Sequence, residues 1–448
     1  MKKNMLTVLL CMILMVIFSS CSEDTEPYTS VLGEVDPPPV AVAAQVAPPA
    51  QAEEQPLIEH LIITQRDMPL VLQPPRARYT SEKELTEYPT LEIEPNIFFE
   101  TNAAIRSTIL AESGILYFGN EYNEFYALDV NTSQVLWTFS TDEAVQTRPV
   151  LENGKIIFNA GNSLYILDAV TGEEIHIIRY PSNYDIRMSH DSTAFNDSHV
   201  AVSDGIAYFV ALNGNFVAVD ILSGEIAWTI ETSTRRLVVS GVKYYDGKLF
   251  YVLSPGILFA VDIQTRQVLF ETHIGGMPFN PMTIYDGRIY IGGRNRKFYC
   301  IDASTGEVIW RSHSQDTMTW FSGGSVIIGN NVFATTSDED AIIAFDKGTG
   351  EFQRIYSILS FGYTPPLRHG NNVVVASTNI RAAMIGNRVS PERSIPRSYV
   401  MAIDTEHHTK LWIAPLDDTV LSPPTIYQDV LYFGSDSGVI YSIDLLLR

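Results

Sequence analysis

Short runs in which apolar and polar residues alternate recur along the body of this chain, each bounded by Gly, Asn, Asp or Thr. Ile156–Phe158 and Val217–Val219 have the period of two expected of half-buried strands. The runs belong to a repeated unit: "LYFGNEYNEFYALDVNTSQVLW", "AYFVALNGNFVAVDILSGEIAW" and "IYIGGRNRKFYCIDASTGEVIW" are three of eight copies. Their aligned aspartates are Asp129, Asp168, Asp220, Asp262, Asp302, Asp346, Asp404 and Asp444, at spacings of 39, 52, 42, 40, 44, 58 and 40. Each unit predicts strand, tight turn, strand, Asp-x-x-Thr/Ser-Gly turn, strand. The carboxylate caps backbone N–H groups of the turn, and Gly172, Gly224, Gly306 and Gly350 supply its positive φ.

Eight residues beyond the first seven aspartates stand Trp137, His176, Trp228, Phe270, Trp310, Arg354 and Trp412. Four of the five tryptophans thus occupy one repeat position, as expected of a side chain that slots between neighbouring sheets. His176 and Arg354 are read as amphipathic packers in the same slot. A further strand precedes each unit, as in "NPMTIYDG" and "SPPTIYQD". Four strands per roughly 40 residues, repeated radially, predict an all-β, eight-bladed β-propeller of four-stranded blades over residues 91–448.

The eighth unit, "LYFGSDSGVIYSIDLLLR", stops before its docking residue. A ring closed on a half-made blade leaves unpaired backbone at an edge. The missing outer strand is therefore expected from the other end of the chain, at about Leu91–Glu100, with Phe98 near the tryptophan slot.

Ahead of the propeller the patterning changes. Residues 1–20 carry Lys2 and Lys3, then an apolar run from Met5 to Phe18, shorter than the roughly 20 residues that span a bilayer. Charge order and small residues before the break read as a secretory signal. Cys21 at the break resembles the lipobox cysteine of bacterial lipoproteins, which implies lipidation at Cys21. Residues 21–56 hold seven acids and no Lys or Arg, with six prolines in Pro37–Pro56. That composition predicts a disordered acidic tether able to extend roughly 100 Å. Residues 57–90 fit neither the tether nor the repeat and are left unassigned.

Net charge is −22. Such a surface repels nucleic-acid phosphate and disfavours lying flat on anionic lipid, so the expected membrane contact is the lipid anchor alone. Only Cys300 falls in the folded body, and "KFYCIDA" reads as a core strand. The sequence lacks H-E-x-x-H, G-x-S-x-G, a P-loop and C-x-x-C. His407-His408 stands where other units have Thr-Gly and is read as a turn. "SDED" at Ser337–Asp340 lacks the alternating ligands of a calcium loop.

The repeat resembles the quinoprotein-type (PQQ-like) propeller motif Y-A-L-D-x-x-T-G-x-x-x-W over about residues 91–448. Dehydrogenases of that type imply pyrroloquinoline quinone, Ca²⁺, a vicinal disulfide and a stacking Trp. This chain has no Cys-Cys pair, and only Trp320 lies outside the docking position. No cofactor and no catalysis are expected. A lipid-anchored propeller of this kind is similar to the BamB family of outer-membrane barrel-assembly lipoproteins, and Asp204–Trp228 is especially so. That resemblance implies a monomeric, periplasm-facing scaffold with protein partners, among them the barrel-insertion machinery, and a partner-binding role for Asp197. The family's Leu-Arg partner-binding stretch is not found. A lipoprotein recognising glycan or another protein, at the cell surface or in the periplasm, remains the alternative.

The two longest spacings contain "YPSNYDIRMSHDSTAFNDSH" (Tyr180–His199) and "NIRAAMIGNRVSPERSIPRSY" (Asn379–Tyr399). The second carries Arg381, Arg388, Arg393 and Arg397 against Glu392 alone. It reads either as a solvated loop or as a docking site for an acidic partner.

Overall fold

The computed structural model describes residues 91–180, 199–211, 214–231, 238–276, 281–313, 319–337, 340–378 and 398–446, with the backbone of Leu61–Ile63. The chain divides into two units, Met1–Leu57 and Ile58–Arg448, and all described residues belong to the second. Cys21, Asp197, Arg381, Arg388, Arg393 and Arg397 lie outside the described residues.

Every regular element among the described residues is a strand, and the strands form eight sheets. Blade 1 shows the plan: Leu110–Glu112 innermost, then Ile115–Gly119 and Glu124–Asp129, with Val135–Ser140 outermost. All neighbours within this blade are antiparallel, with a register shift in the outer pair between Ala127 and Leu128. The same shift recurs between Ala218 and Val219 and between Cys300 and Ile301. It sits beside the docking residue, which twists the outer strand toward the next blade.

The core lies between blades rather than within them. One cluster joins Phe125 and Trp137 of blade 1 to Ile156, Phe158 and Tyr165 of blade 2. Phe125 and Phe158 stack with centroids 3.9 Å apart. Each predicted aspartate closes its turn: Asp168 Oδ1 accepts the N–H of Val170 at 2.9 Å and of Thr171 at 2.8 Å. The docking residue of one blade then covers the turn of the next. A Cβ built on Gly172 (φ +73°) would lie 2.5 Å from Cδ2 of Trp137. Glycine is required there twice, by the backbone and by the ring.

His176 occupies the same slot over Gly224, and its Nε2–H donates to the carbonyl of Leu222 at 2.9 Å. Trp137 and Trp310 do likewise, donating Nε1–H to the carbonyls of Ala169 and Lys347 at 3.2 Å. In blade 7, His408 takes φ 59° where glycine would stand.

The ring closes as the repeat requires, with one change of bounds. Asn96–Glu100 is the outer strand of blade 8, paired with Val439–Asp444. Leu91–Glu92, expected in that strand, instead adds in parallel to the outer edge of blade 7, Leu91 opposite Trp412. The physical reason is Ile93, 6% exposed, whose side chain completes the core between blades 7 and 8. Within the unassigned stretch, Leu61–Ile63 adds in parallel to the outer edge of blade 4, Leu61 opposite Phe270.

Candidate functional site

Strand direction sorts the connections onto two faces. The hairpins after each innermost strand and the Asp turns share one face. The turns between the second and third strands share the other with the crossovers between blades. The segment 181–198 follows the outer strand of blade 2, Glu174–Arg179, and precedes Ala201–Ser203 of blade 3. The segment 379–397 joins Asn372–Thr378 to Ser398–Asp404 in blade 7. Both insertions therefore leave from the same face, although they belong to different sides of the ring. Sequence reasoning singled out both segments for length; the shared face follows only from topology.

Described residues on this insertion face include exposed aromatics. Tyr122, in a turn of blade 1, is 67% exposed, and Trp320, in the link to blade 6, is 39% exposed. The guanidinium of Arg294 lies 5.1 Å from the Trp320 ring centroid, a cation–π arrangement. Trp320 is thus a surface aromatic with a cation on it.

Beneath this face the axis of the ring holds a cavity of about 220 Å³, lined by all eight blades. Consecutive blades 2, 3 and 4 contribute Arg148, His199 and Lys243. The far wall is apolar, with Met282, Tyr363, Leu367, Pro423 and Pro424. His199 is held by the backbone N–H of Arg148, which donates to its Nδ1 at 3.0 Å. No motif marks these three residues; they become neighbours because each precedes or lies in an innermost strand.

The quinone and Ca²⁺ implied by the dehydrogenase type do not fit this cavity. Its lining contains no carboxylate and no tryptophan, and a hard cation needs oxygen donors. Among the described residues no group of three His, Cys, Asp or Glu could hold a metal ion. His407 and His408 diverge: His407 Nδ1 bonds Asp404 at 2.8 Å, while His408 Nδ1 meets the Tyr356 hydroxyl at 2.9 Å. The Asp404 hydrogen bond raises His407, and burial lowers His408. Cys300 is fully buried, which pushes its thiol up to about 12 and leaves it inert at neutral pH.

A second set of residues escaped the sequence reading. Hydroxyls three positions before an innermost strand pin the blade crossovers: Ser107 Oγ donates to Gly119 O at 2.9 Å, Thr147 Oγ1 to Asn159 O at 2.7 Å, and Thr364 Oγ1 to Ala376 O at 3.0 Å. The recurrence of Ser or Thr at this offset was the available signal. These bonds hold the crossovers that build the insertion face.

Comparison with known proteins agrees with this geometry. A family model described as outer membrane protein assembly factor BamB matches residues 99–194 and 185–356. Outer membrane protein assembly factor BamB of Yersinia pestis is 25% identical over 252 residues, 53% of this chain and 62% of that protein. Its counterpart in Moranella endobia is 22% identical over 62% of this chain and 71% of its own length. A tetrathionate hydrolase of Acidithiobacillus ferrooxidans is 22% identical over 71% of this chain and 60% of that enzyme. The crystal structure of BamB from Moraxella catarrhalis superposes with a TM-score of 0.60 at 14% identity, covering 79% of this chain and 99% of that one.

Proposed function

The chain belongs to the outer membrane protein assembly factor BamB family, and from that premise we propose that it is a non-catalytic scaffold for outer-membrane protein assembly, anchored through a lipid on Cys21 and facing the periplasm. One observation carries the reading: the two long insertions leave the ring from one face, where Tyr122 and Trp320 are exposed. Loops on a fixed scaffold are where binding residues concentrate, and exposed aromatics are favoured at interfaces. On this reading Asp197 in one insertion meets a basic partner group. Arg381, Arg388, Arg393 and Arg397 in the other meet acidic ones, a local reversal in a chain of net charge −22.

Affinity capture of the native lipoprotein followed by mass spectrometry tests this. A barrel-insertion subunit should co-purify, and should be lost when the four arginines are replaced by Ser. Recovery of glycan, or of no partner, overturns the proposal.

The basic wall of the axial cavity favours a second reading. Arg148 and Lys243 beside an apolar wall suit a small anion, and one relative is named a tetrathionate hydrolase. The scaffold reading predicts no tetrathionate turnover by the purified protein. Turnover abolished by Arg148→Ala would establish the second reading instead.

A further inference from the structure

The N-terminal segment uses the propeller's rim twice, and in the same way. Leu61-Ile62-Ile63 lies parallel to the outer strand of blade 4 with Leu61 opposite the docking residue Phe270. Leu91-Glu92 lies parallel to the outer strand of blade 7 with Leu91 opposite the docking residue Trp412. Isoleucine follows two positions later in both, as Ile63 and Ile93, and the N–H of Ile93 donates to Ile413 O at 2.9 Å. A Leu-x-Ile segment in parallel register with a docking aromatic is therefore a recognition unit of these blades. Phe270 and Trp412 beside these strands are 1% and 3% exposed, and Trp310 of four-stranded blade 5 is 1% exposed as well.

Blade 3 has the same receptor, and among the described residues no such strand lies on it. Among the described residues its outer strand, Ile226–Ile230, pairs only with Phe216–Asp220. Ile226 is 43% exposed, and Trp228 is only partly buried. Part of the reason is local. Arg266 stands at the position of the next blade's turn where Gly172 or Gly224 receives a ring in blades 2 and 3. An unpaired strand bearing apolar side chains is a template for another chain. Exposed Glu225 and Glu231 flank it on either side.

We propose that the outer edge of blade 3 docks an extended segment of a protein partner, which adds in parallel with Leu opposite Trp228, Ile or Val two residues on, and Lys or Arg on its flanks. Backbone pairing supplies the affinity, and the Leu and Ile positions with the flanking glutamates supply the specificity. The proposal takes from the scaffold reading only that the occupant is a protein.

The test uses the full chain and a fluorescent peptide of residues 88–95 carrying Tyr88→Lys, Glu92→Lys and Glu94→Lys, with a photo-crosslinker at Thr90. Saturable binding weakened by salt is expected, with crosslinks on Ile226–Ile230. By analogy with Ile413, Thr229 presents its outward N–H and C=O to the added strand. Thr229→Pro removes that N–H and should weaken binding about five- to tenfold, the loss of one hydrogen bond, at an unchanged melting temperature. Ile226→Lys, a change at an exposed site, should repel the same peptide and serves if the proline variant does not fold. Absence of saturable binding overturns the proposal. So do crosslinks elsewhere, or crosslinked dimers of the protein through a second copy's Leu91 segment. Co-purification of a partner alongside a failed peptide assay would refute the blade 3 edge and leave the scaffold standing.

Discussion

The ring of Phe98 meets that of Tyr432 edge-on, with centroids 5.1 Å apart and planes at 73°. Tyr432 in blade 8 is the repeat equivalent of Tyr117 and Tyr290, which meet Trp137 and Trp310 at 6.0 and 6.1 Å. A register shift between Ile97 and Phe99 sets Phe98 in this position. An N-terminal phenylalanine thus does in blade 8 what tryptophan does within a continuous unit elsewhere. The bidentate pair of Arg106 with Asp436, at 2.9 and 3.1 Å, reinforces the same seam.

Phe98→Ala should therefore destabilise the ring by about 2–3 kcal/mol, below the full cost of a completely buried Phe. Ile97→Ala, at a site 63% exposed, should change stability by less than about 0.5 kcal/mol. Chemical denaturation of the two variants checks this, and equal effects would mean that the slot does not hold the seam.

Gly172 and Gly154 share φ +73° but differ in surroundings: a Cβ at Gly154 meets nothing within 4 Å, whereas one at Gly172 strikes Trp137. Gly154→Ala should cost about 1–2 kcal/mol for the left-handed backbone alone. Gly172→Ala should add about 1–3 kcal/mol of overpacking and shift the tryptophan fluorescence. Indistinguishable melting temperatures for the pair would refute the interblade slot.

Acid should loosen six of the Asp turns together. Backbone and hydroxyl hydrogen bonds from Thr132 lower Asp129, those from Thr171 and Val170 lower Asp168, and those from Ser223 lower Asp220. At Asp262, Asp302 and Asp346 burial opposes the shift but the turn's hydrogen bonds prevail. A folded-state pKa below the unfolded value of 3.8 means that the unfolded chain binds more protons. The stabilisation is present above pH 3.8 and is lost as pH falls through the folded values. Thermal melts should fall steeply below about pH 4, and Asp168→Asn should flatten that slope.

Cys21→Ser should release the protein from the membrane fraction at a mass lacking acyl chains. Retention of the variant in membranes at unprocessed mass would end the lipoprotein reading.

Much of the fold was legible because its signals are local. Asp168, Thr171 and Gly172 form their turn within five residues, so the repeat betrays itself in sequence. The missing docking residue after Asp444 pointed to the N-terminal strand through a count of blades. The candidate site was less legible. Arg148, His199 and Lys243 share no motif, and their proximity arises only when blades 2, 3 and 4 turn the same edge inward.

The sequence by itself determined the number of blades, the Asp turns and the docking position, since hydrogen bonds and side-chain alternation over a few residues specify each. Only the tertiary structure decided that Leu91 serves blade 7 while Phe98 serves blade 8, and that Leu61 reaches blade 4. Both added segments carry Leu-x-Ile and lie beside a docking aromatic, yet Trp228 of blade 3 stands at the same position, so neither the segment nor the aromatic alone names the edge. That choice depends on the closed ring, and no local pattern along the chain encodes it.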